Sequence, residues 1–352
     1  MEKGLYLDYL RDRHLLYKTA CVLFIIALPS IALEIHAFGG LINLIKIGHG
    51  GDRFQIINSA FIIGRGHEWL LLSAILFLYH GVREKSLKYI LFGICVYISD
   101  SVLLLYIGGR STIVYTLIFA GVLFNYSVKR LSGKRLAIIL IIGIVISQYY
   151  ALARYFIPQG LVYSFIRTWD VVLQNPYLLY PWATNEFKYP AMSMLEMIQY
   201  GTPPLLYGQT YVGVIGSIFP FIGNLFNEFS FNPSMWRLEM FYPEVLAEGG
   251  GQGYSPIAEG YINFRGAGVF FHMLVYGYLI SYVHNLMKSK NSLLLILVYA
   301  AMLPLFLLDG LRIHASSWVS KLFRAYLIVP IIFFIISLFF TTKRRNNYVN
   351  RN

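Results

Sequence analysis

Long apolar segments separated by short polar connectors run through the whole sequence. Hydrophobic residues make up 57% of the chain and charged residues only 13%, which is more apolar surface than a water-soluble fold can bury. A lipid bilayer, whose core is about 30 Å thick, is crossed by a helix of about 20 apolar residues. Several segments have that length and none shows the alternation of a β-barrel. The sequence therefore predicts an all-α polytopic membrane protein.

The connectors predict both the number of spans and their orientation. Lysine and arginine concentrate in alternate connectors, around Arg83, Arg130 and Lys288, and again in the tail at Lys343. Because basic residues mark the cytoplasmic side, we expect these connectors and both termini in the cytoplasm. About eight or more spans fit this alternation, at residues 18–33, 54–79, 89–107, 112–126, 136–153, 259–282, 292–308 and a last one that ends near residue 340.

One connector is far longer than the others. We interpret residues 1–352 as a single integral membrane domain with a large external loop at 154–258. Residues 212–226 within it are apolar but broken by Gly216 and Pro220, which indicates a re-entrant or interfacial segment, since a full span would reverse the charge alternation. The formal net charge of +12 is explained mostly by topology, so the expected partner is the lipid bilayer and not a nucleic acid.

Arginines on the external side run counter to the positive-inside rule and need a separate reason. The guanidinium fork binds phosphate through two parallel hydrogen bonds, so these arginines suit a lipid-linked pyrophosphate at the outer headgroup level. A buried arginine can also be neutralised within its own helix. Arg65 and Glu68 are three residues apart in the second span, so they could pair.

Arg110 follows two glycines in the turn 108–112, directly before the fourth span. Glycines before a helix let backbone N–H groups approach an anion, and the helix N-terminus adds positive potential. Arg110 could bind an anion there. An ordinary turn with an interfacial arginine is an equally good interpretation.

Glu259 stands at the start of the sixth span, with Asn263 one turn later on the same helix face and Arg265 nearby. A carboxylate in the first helical turn is favoured by the helix dipole, so capping alone explains it. The functional alternative makes Glu259 a general base, or a group that positions an arginine or a sugar hydroxyl.

Asp309, Arg312 and His314 lie within six positions in the predicted external turn between the last two spans. An acid, a base and an imidazole so close together could organise a proton transfer. A solvated loop of the same composition is the alternative. His314 has no second metal ligand at a recognisable spacing, and the chain carries no P-loop and no dinucleotide fingerprint. We therefore expect neither a metal nor a cofactor.

Several of these residues lie in motifs that resemble those of bacterial O-antigen polymerases, the oligosaccharide repeat-unit polymerases. The run 256–264, PIAEGYINF, resembles the AE-x-Y-x-NFG segment of that family. Gly109-Arg110-Ser111 resembles its G-x-R turn, and 206–211 resembles the loop stretch that precedes the AE-x-Y segment. Arg265 departs from the pattern, because the family usually has glycine directly after Asn-Phe.

The resemblance implies a GT-C-like membrane glycosyltransferase of the bacterial inner membrane. Such an enzyme moves a growing glycan from undecaprenyl pyrophosphate onto a new lipid-linked repeat unit, in some systems beside a chain-length regulator protein. In that case Glu259 or His314 would orient or deprotonate the acceptor hydroxyl. Arg110, Arg237 and Arg312 would hold the pyrophosphate, with support from the substrate-side residues Arg265, Asp309 and Asn263.

Two other functions remain open from the sequence. A transporter or flippase of lipid-linked glycan would place polar residues along a path through the membrane, often in repeated halves. Here the polar residues gather on one face and no repeat is visible, which favours the enzyme. An O-antigen ligase, which attaches finished glycan to another acceptor, is hardly distinguishable from a polymerase by sequence.

Overall fold

The computed structural model describes residues 2–47, 65–107, 109–153, 156–179, 188–201, 205–218, 229–247, 251–290 and 292–349. Every regular element in these ranges is helical, which confirms the predicted all-α fold. The α-helices are α1 (Glu2–Ala37), α2 (Leu41–Ile47), α3 (Gly66–Glu84), α4 (Leu87–Tyr106), α5 (Arg110–Ser127), α6 (Gly133–Ala153), α7 (Leu161–Gln174), α8 (Lys188–Tyr200), α9 (Gln209–Ile218), α10 (Pro233–Phe241), α11 (Pro243–Ala247), α12 (Pro256–Lys290), α13 (Leu293–Leu308), α14 (Ala315–Lys321) and α15 (Ile328–Val349).

Two short non-α elements lie next to the predicted site. A 3₁₀ turn at Asp309–Leu311 follows α13, and a π-helical segment at Leu322–Tyr326 joins α14 to α15. In that segment the N–H of Leu327 donates to the carbonyl of Leu322, five residues earlier, at 2.8 Å. The helix that runs from Ala315 into α15 is therefore widened near its N-terminal end.

Five helical stretches within the described ranges are long and apolar enough to cross a bilayer: His14–Ala37, Leu87–Tyr106, Pro256–Lys290, Leu293–Leu311 and Ala315–Phe339. These stretches confirm a polytopic membrane protein. Helices α3, α5 and α6 occupy the other predicted spans. The second predicted span began at residue 54, but residues 54–64 lie outside the described ranges and α3 begins at Gly66.

The helices share one apolar core. Leu16 of α1, Leu72 of α3, Phe119 of α5, Leu297 of α13 and Ala325 of the π segment are all fully buried in it. Large apolar side chains are also exposed on the outward faces, among them Ile25 (65%), Phe271 (61%) and Phe339 (72%). A bundle that is apolar both inside and outside is suited to lipid, whose tails are as apolar as leucine.

Helix α12 is sharply kinked at Phe264 and Arg265. Phe264 has φ −144° and ψ 24°, and Arg265 has φ 56° and ψ −141°, and neither pair is helical. The first segment, 256–263, folds back so closely that a Cβ on Gly268 would come within 2.0 Å of the Gly260 carbonyl oxygen. Glycine at both positions permits this approach. Arg265, where the sequence departs from the family pattern, thus occupies a backbone conformation that favours glycine.

The predicted external loop, 154–258, contains helices α7 to α11. Of the candidate re-entrant segment at 212–226, residues 212–218 belong to α9 and residues 219–226 lie outside the described ranges, so that interpretation stays a prediction. Helix α9 packs closely on α14 and touches α12, and α8 packs on α12. These contacts place the connector helices against the segments that carry Glu259 and His314.

A buried polar cluster ties the first three long helices together. The first predicted span ended at residue 33, but helix α1 extends to Ala37, so Glu34 is a fully buried helical residue. His67 of α3 lies with Nε2 3.7 Å from Glu34 Oε2 and with Nδ1 2.6 Å from Asp100 Oδ1 of α4. Pairing of this kind is what makes ionisable groups tolerable within a helical membrane bundle.

Candidate functional site

Glu259 lies in the first segment of α12, and its side chain is fully buried. Its Oε2 accepts a hydrogen bond of 2.7 Å from the backbone N–H of Ala315, the first residue of α14. The carboxyl group thus caps the N-terminus of α14, although Glu259 and Ala315 are 56 residues apart in the sequence. The Thr210 hydroxyl lies close to the carboxyl group, but among the described residues no well-oriented hydrogen bond reaches Oε1.

The side-chain amide of Asn263 connects the loop before α9 to the first segment of α12 through hydrogen bonds. Its Nδ2 donates to Thr210 Oγ1 at 2.7 Å and to the Glu259 carbonyl at 2.8 Å, and its Oδ1 accepts from the Gly208 N–H at 2.9 Å. Leu206 adds a backbone hydrogen bond to the Ile262 carbonyl at 3.1 Å. Because both ends of the amide bind the protein, this geometry favours a positioning role for Asn263 over substrate binding.

Asp309 is buried and bound on both carboxylate oxygens. The Tyr115 hydroxyl of α5 donates to Oδ1, and Lys321 Nζ donates to Oδ2 at 2.9 Å. Its backbone carbonyl accepts from the N–H groups of Arg312 and Ile313, each at 3.0 Å. Asp309 therefore fixes the turn after α13 and holds Lys321 at the start of the π segment.

His314 is buried between two serine hydroxyls. Its Nδ1 lies 2.9 Å from Ser234 Oγ at the start of α10, and its Nε2 lies 2.9 Å from Ser317 Oγ in α14. A neutral imidazole donates from one nitrogen and accepts at the other, so both contacts can be satisfied together. Burial lowers the pKa of His314 from 6.5 to about 4, which keeps the ring neutral at physiological pH.

The buried state of His314 predicts a specific loss of stability in acid. Its pKa is about 4 in the folded protein and about 6.5 in the unfolded chain, so the unfolded state binds the proton first as pH falls. The free energy of unfolding should therefore decrease as the pH falls below about 6.5. Protonation of His314 accounts for a loss of up to about 1.4 kcal/mol per pH unit, until about pH 4. Unfolding in detergent should be measured between pH 8 and pH 5, for the wild type, His314→Asn and His36→Asn, an exposed control. His314→Asn should show a shallower pH slope than the wild type, and an unchanged slope would contradict the prediction.

Arg237 is almost completely buried (1% exposed) and its guanidinium is bound by the protein itself. Nε and Nη2 donate to the two carboxylate oxygens of Glu196 at 2.6 and 2.9 Å, and Nη1 donates to the Gly253 carbonyl at 2.7 Å. The Tyr242 hydroxyl also donates to Glu196. This bidentate pair joins α8, α10 and the segment 251–255 before α12. The geometry therefore favours a structural role over the pyrophosphate contact predicted from the sequence.

The other predicted arginines have distinct surroundings. The Arg312 carbonyl accepts from the Tyr254 N–H at 2.8 Å, and its half-buried side chain lies near Tyr115. Arg265 lies with its guanidinium carbon 5.2 Å from the centre of the Tyr261 ring. Arg110 begins α5 five residues before Tyr115, and at 3.6 residues per turn it lies about 140° away from Tyr115 around the helix.

The structure therefore brings the Glu259 group and the Asp309–His314 group together through Ala315, with Arg312 beside them. Tyr115 links α5 to the same place, but Arg110 lies on another face of that helix. Lys321 and Arg324 also adjoin this site, although neither was predicted to belong to it. Their signal was present, because two basic residues three positions apart interrupt the apolar stretch Ala315–Phe339.

These observations define a class of protein: an all-α, multi-pass membrane protein whose connector helices and two span ends converge on one polar site. The family model of O-antigen polysaccharide polymerase Wzy matches residues 189–345, which include Glu259, Asp309 and His314. This match confirms the resemblance to the O-antigen polymerase family and supports O-antigen polymerisation as the general activity. It also supports a multi-pass protein of the bacterial inner membrane. None of the curated proteins and none of the solved structures matches the chain.

Proposed function

We propose that this chain polymerises undecaprenyl-pyrophosphate-linked repeat units into O-antigen or a similar surface polysaccharide, by glycosyl transfer on the external face of the membrane. The observation that supports this most directly is the hydrogen bond from Ala315 to Glu259, which unites two groups of polar residues within the region matched to the polymerase family. The family match supports the general reaction, and the geometry supports the residues that we assign to its steps.

The proposed reaction breaks the bond between the anomeric carbon of the growing glycan and the pyrophosphate oxygen. A new bond forms between that carbon and a hydroxyl of the next lipid-linked repeat unit. The hydroxyl proton passes to a general base, and undecaprenyl pyrophosphate leaves as an anion. We propose that protein cations, rather than a metal ion, stabilise that charge.

We assign the base role to Glu259. Its Oε2 is held by the Ala315 N–H, while Oε1 is not held by a well-oriented hydrogen bond within the described chain. A carboxylate fixed at one oxygen is suited to receive a proton at the other once the acceptor hydroxyl has entered. His314 and Asn263 position the two backbone segments that carry Ala315 and Glu259.

The proposed topology places this site outward. The turn after α13 and the connector helices α7 to α11 then lie on the external side, opposite the basic connectors at Arg83 and Arg130. A lipid-linked substrate could keep its prenyl chain in the bilayer while its pyrophosphate and sugars reach the polar site. The large external loop at 154–258 is part of this proposal.

Elongation of purified lipid-linked repeat units tests the proposed function directly. The protein in detergent should convert short undecaprenyl-pyrophosphate-linked repeats into a ladder of longer glycans, with release of undecaprenyl pyrophosphate. A transporter would leave the glycan length unchanged, and a ligase would lengthen no lipid-linked chain without its separate acceptor. Unchanged length with a protein that is folded and pure would contradict the proposal.

A further inference from the structure

The turn that divides α12 carries an arginine to which no step of the proposed reaction has been assigned. Arg265 follows the first segment, 256–263, and has φ 56° and ψ −141°, a combination that is nearly confined to glycine. A residue with a side chain is strained in this conformation, and strained residues of this kind cluster at functional sites. The strain at Arg265 therefore needs a reason in binding or catalysis.

Contacts on both sides of the turn hold this backbone conformation. Asn263 Oδ1 accepts from the Gly208 N–H at 2.9 Å, and a Cβ on Gly208 would lie 3.6 Å from the Phe264 ring. Tyr207, directly before Gly208, also has a positive φ, of 44°. Two of the three non-glycine residues with positive φ in the described ranges thus lie on either side of one hydrogen bond. The irregular backbone is concentrated at this turn.

The guanidinium group of Arg265 has donors that the protein does not satisfy. Nη1 is buried and donates to no acceptor, and no carboxylate among the described residues pairs with the group. Its carbon lies 5.2 Å from the centre of the Tyr261 ring, a contact that supplies no hydrogen-bond acceptor. An arginine in a stretch that is apolar enough to span a membrane, with no internal anion, indicates a ligand site.

The contrast with two other arginines supports this interpretation. Arg237 binds both carboxylate oxygens of Glu196, and Arg65 pairs with Glu68 at 3.3 Å. Each of those cations is neutralised by an acid of the protein itself, whereas the half-buried Arg265 is not. An anion from outside the chain would supply what Arg265 lacks.

The surroundings of Arg265 indicate that such an anion is joined to an apolar chain. Phe264 directly before it is exposed, and the second segment of α12, which starts directly after it, exposes Phe270, Leu274 and Tyr278. These three side chains are four residues apart, so they follow the helix away from the turn in steps of about 6 Å. A lipid with an anionic head group would match both the cation and this apolar stripe.

The guanidinium group lies on the other side of the first segment from the proposed base. Tyr261 is two residues after Glu259, so at 3.6 residues per turn the two side chains point about 160° apart around the helix. Arg265 contacts the ring of Tyr261 and is therefore turned away from the Glu259 carboxyl group. This placement suits a residue that holds the substrate and does not suit one that acts on the reacting atoms.

We propose that Arg265 binds the pyrophosphate of the prenyl-linked substrate where the lipid reaches the protein from the bilayer, with the prenyl chain along Phe270, Leu274 and Tyr278. The assignment rests on the proposed function for the identity of the lipid. The guanidinium fork suits two adjacent phosphates, and the Tyr261 ring holds its plane. Arg265 is thus a substrate-binding residue that acts before the transfer step.

Binding of farnesyl pyrophosphate to the purified protein in detergent tests the site. Arg265→Gln should weaken binding about tenfold or more, as expected for loss of hydrogen bonds to a charged group. Arg265→Lys, which keeps the charge without the fork, should weaken it less. The control is Lys188→Gln, which removes an exposed cation at the start of α8 and should bind as the wild type does. Equal losses in Arg265→Gln and Lys188→Gln would show general charge attraction and overturn the site.

Competing ligands identify what Arg265 recognises. Farnesyl pyrophosphate should bind the wild type more tightly than farnesol, which has no phosphate, and more tightly than inorganic pyrophosphate, which has no prenyl chain. It should also bind more tightly than phosphatidylglycerol, which carries a single phosphate. Equal binding of any of these three ligands would overturn the assignment to a prenyl pyrophosphate.

Two small substitutions separate ligand binding from a structural role. Arg265→Gly and Arg265→Ala both remove the guanidinium group, but only glycine relieves the backbone strain. Arg265→Gly should therefore unfold at a higher temperature than Arg265→Ala, while both variants bind farnesyl pyrophosphate as weakly as Arg265→Gln does. If Arg265→Gly binds farnesyl pyrophosphate normally, the guanidinium group is not part of a site.

The kinetics of elongation give a further readout. Arg265→Gln should raise the KM for lipid-linked repeats about tenfold and change kcat by less than about threefold, because a binding contact outside the reacting centre is lost. A large fall in kcat with an unchanged KM would contradict the proposed role. If the wild type elongates repeats but folded Arg265→Gln binds farnesyl pyrophosphate normally, the site is wrong and the polymerase function stands. If the wild type binds farnesyl pyrophosphate through Arg265 but elongates nothing, the site stands and the polymerase function is wrong.

Discussion

A Glu259→Gln variant is expected to elongate lipid-linked glycan at about one hundredth of the wild-type rate or slower. Glutamine keeps an oxygen that can accept the hydrogen bond from the Ala315 N–H, which measures 2.7 Å with the native carboxylate. The start of α14 should therefore stay in place. The amide cannot take a proton from an acceptor hydroxyl, so a general base would be lost while the helix cap is retained. Initial rates of elongation with purified lipid-linked repeats give the comparison.

Three companion variants separate the chemical role of Glu259 from its structural role. Glu259→Ala removes both the base and the cap of α14, so it should lose activity and also lower the unfolding midpoint. Glu259→Asp keeps an ionisable group and should retain more activity than glutamine. Glu239→Gln changes an exposed carboxyl group in α10 and should behave as the wild type does. Near-normal elongation by Glu259→Gln, with reduced stability only in Glu259→Ala, would show that the residue is only a helix cap.

The sequence predicted those parts of the fold that depend on composition and periodicity. Apolar length located most of the spans, and the pair Arg65–Glu68 followed from helical spacing alone. The grouping of Glu259 with Asn263 was likewise visible, because both residues lie on one face of one helix. These predictions succeeded because each depends on interactions within a single element or between an element and lipid.

Contacts between segments that are far apart along the chain could not be predicted from the sequence. Nothing in the spacing indicates that Glu259 binds Ala315 or that Arg237 finds its partner in Glu196, 41 residues away. External arginines look alike in sequence, whether they bind a substrate or a buried acid. Only the burial of Arg237 and its bidentate geometry separate it from Arg312, which stays half-buried beside the turn after α13.

Backbone irregularities limited the prediction in another way. The sequence indicates a continuous helix through Phe264, yet the chain reverses there because Gly260 and Gly268 allow two helical segments to touch. The π-helical turn after Lys321 has no comparable composition signal. Both irregularities lie next to the candidate site. Strained backbone often occurs at functional sites, where it fixes the positions of side chains.

Arg237→Ala is expected to lower the free energy of unfolding by about 3–5 kcal/mol. The substitution would leave the buried Glu196 carboxylate without its cation and the Gly253 carbonyl without its donor. A buried charge that loses its partner keeps its full desolvation cost, which is larger than the net gain from the original pair. Unfolding of the purified variant in detergent should show the loss, while Arg167→Ala, an exposed arginine of α7, should leave stability unchanged.

The double variant Glu196→Leu with Arg237→Met distinguishes a structural pair from a substrate contact. Removing both charges together should recover part of the stability that Arg237→Ala loses, because no unmatched carboxylate remains. If Arg237 acts only through Glu196, the double variant should also recover part of the elongation rate and bind lipid-linked substrate normally. A stable Arg237→Ala protein with no polymerisation would instead support the direct pyrophosphate contact predicted from the sequence. A loss of stability that the double variant partly recovers therefore indicates a structural role for the guanidinium group. A loss of polymerisation in a stable Arg237→Ala protein indicates a substrate contact.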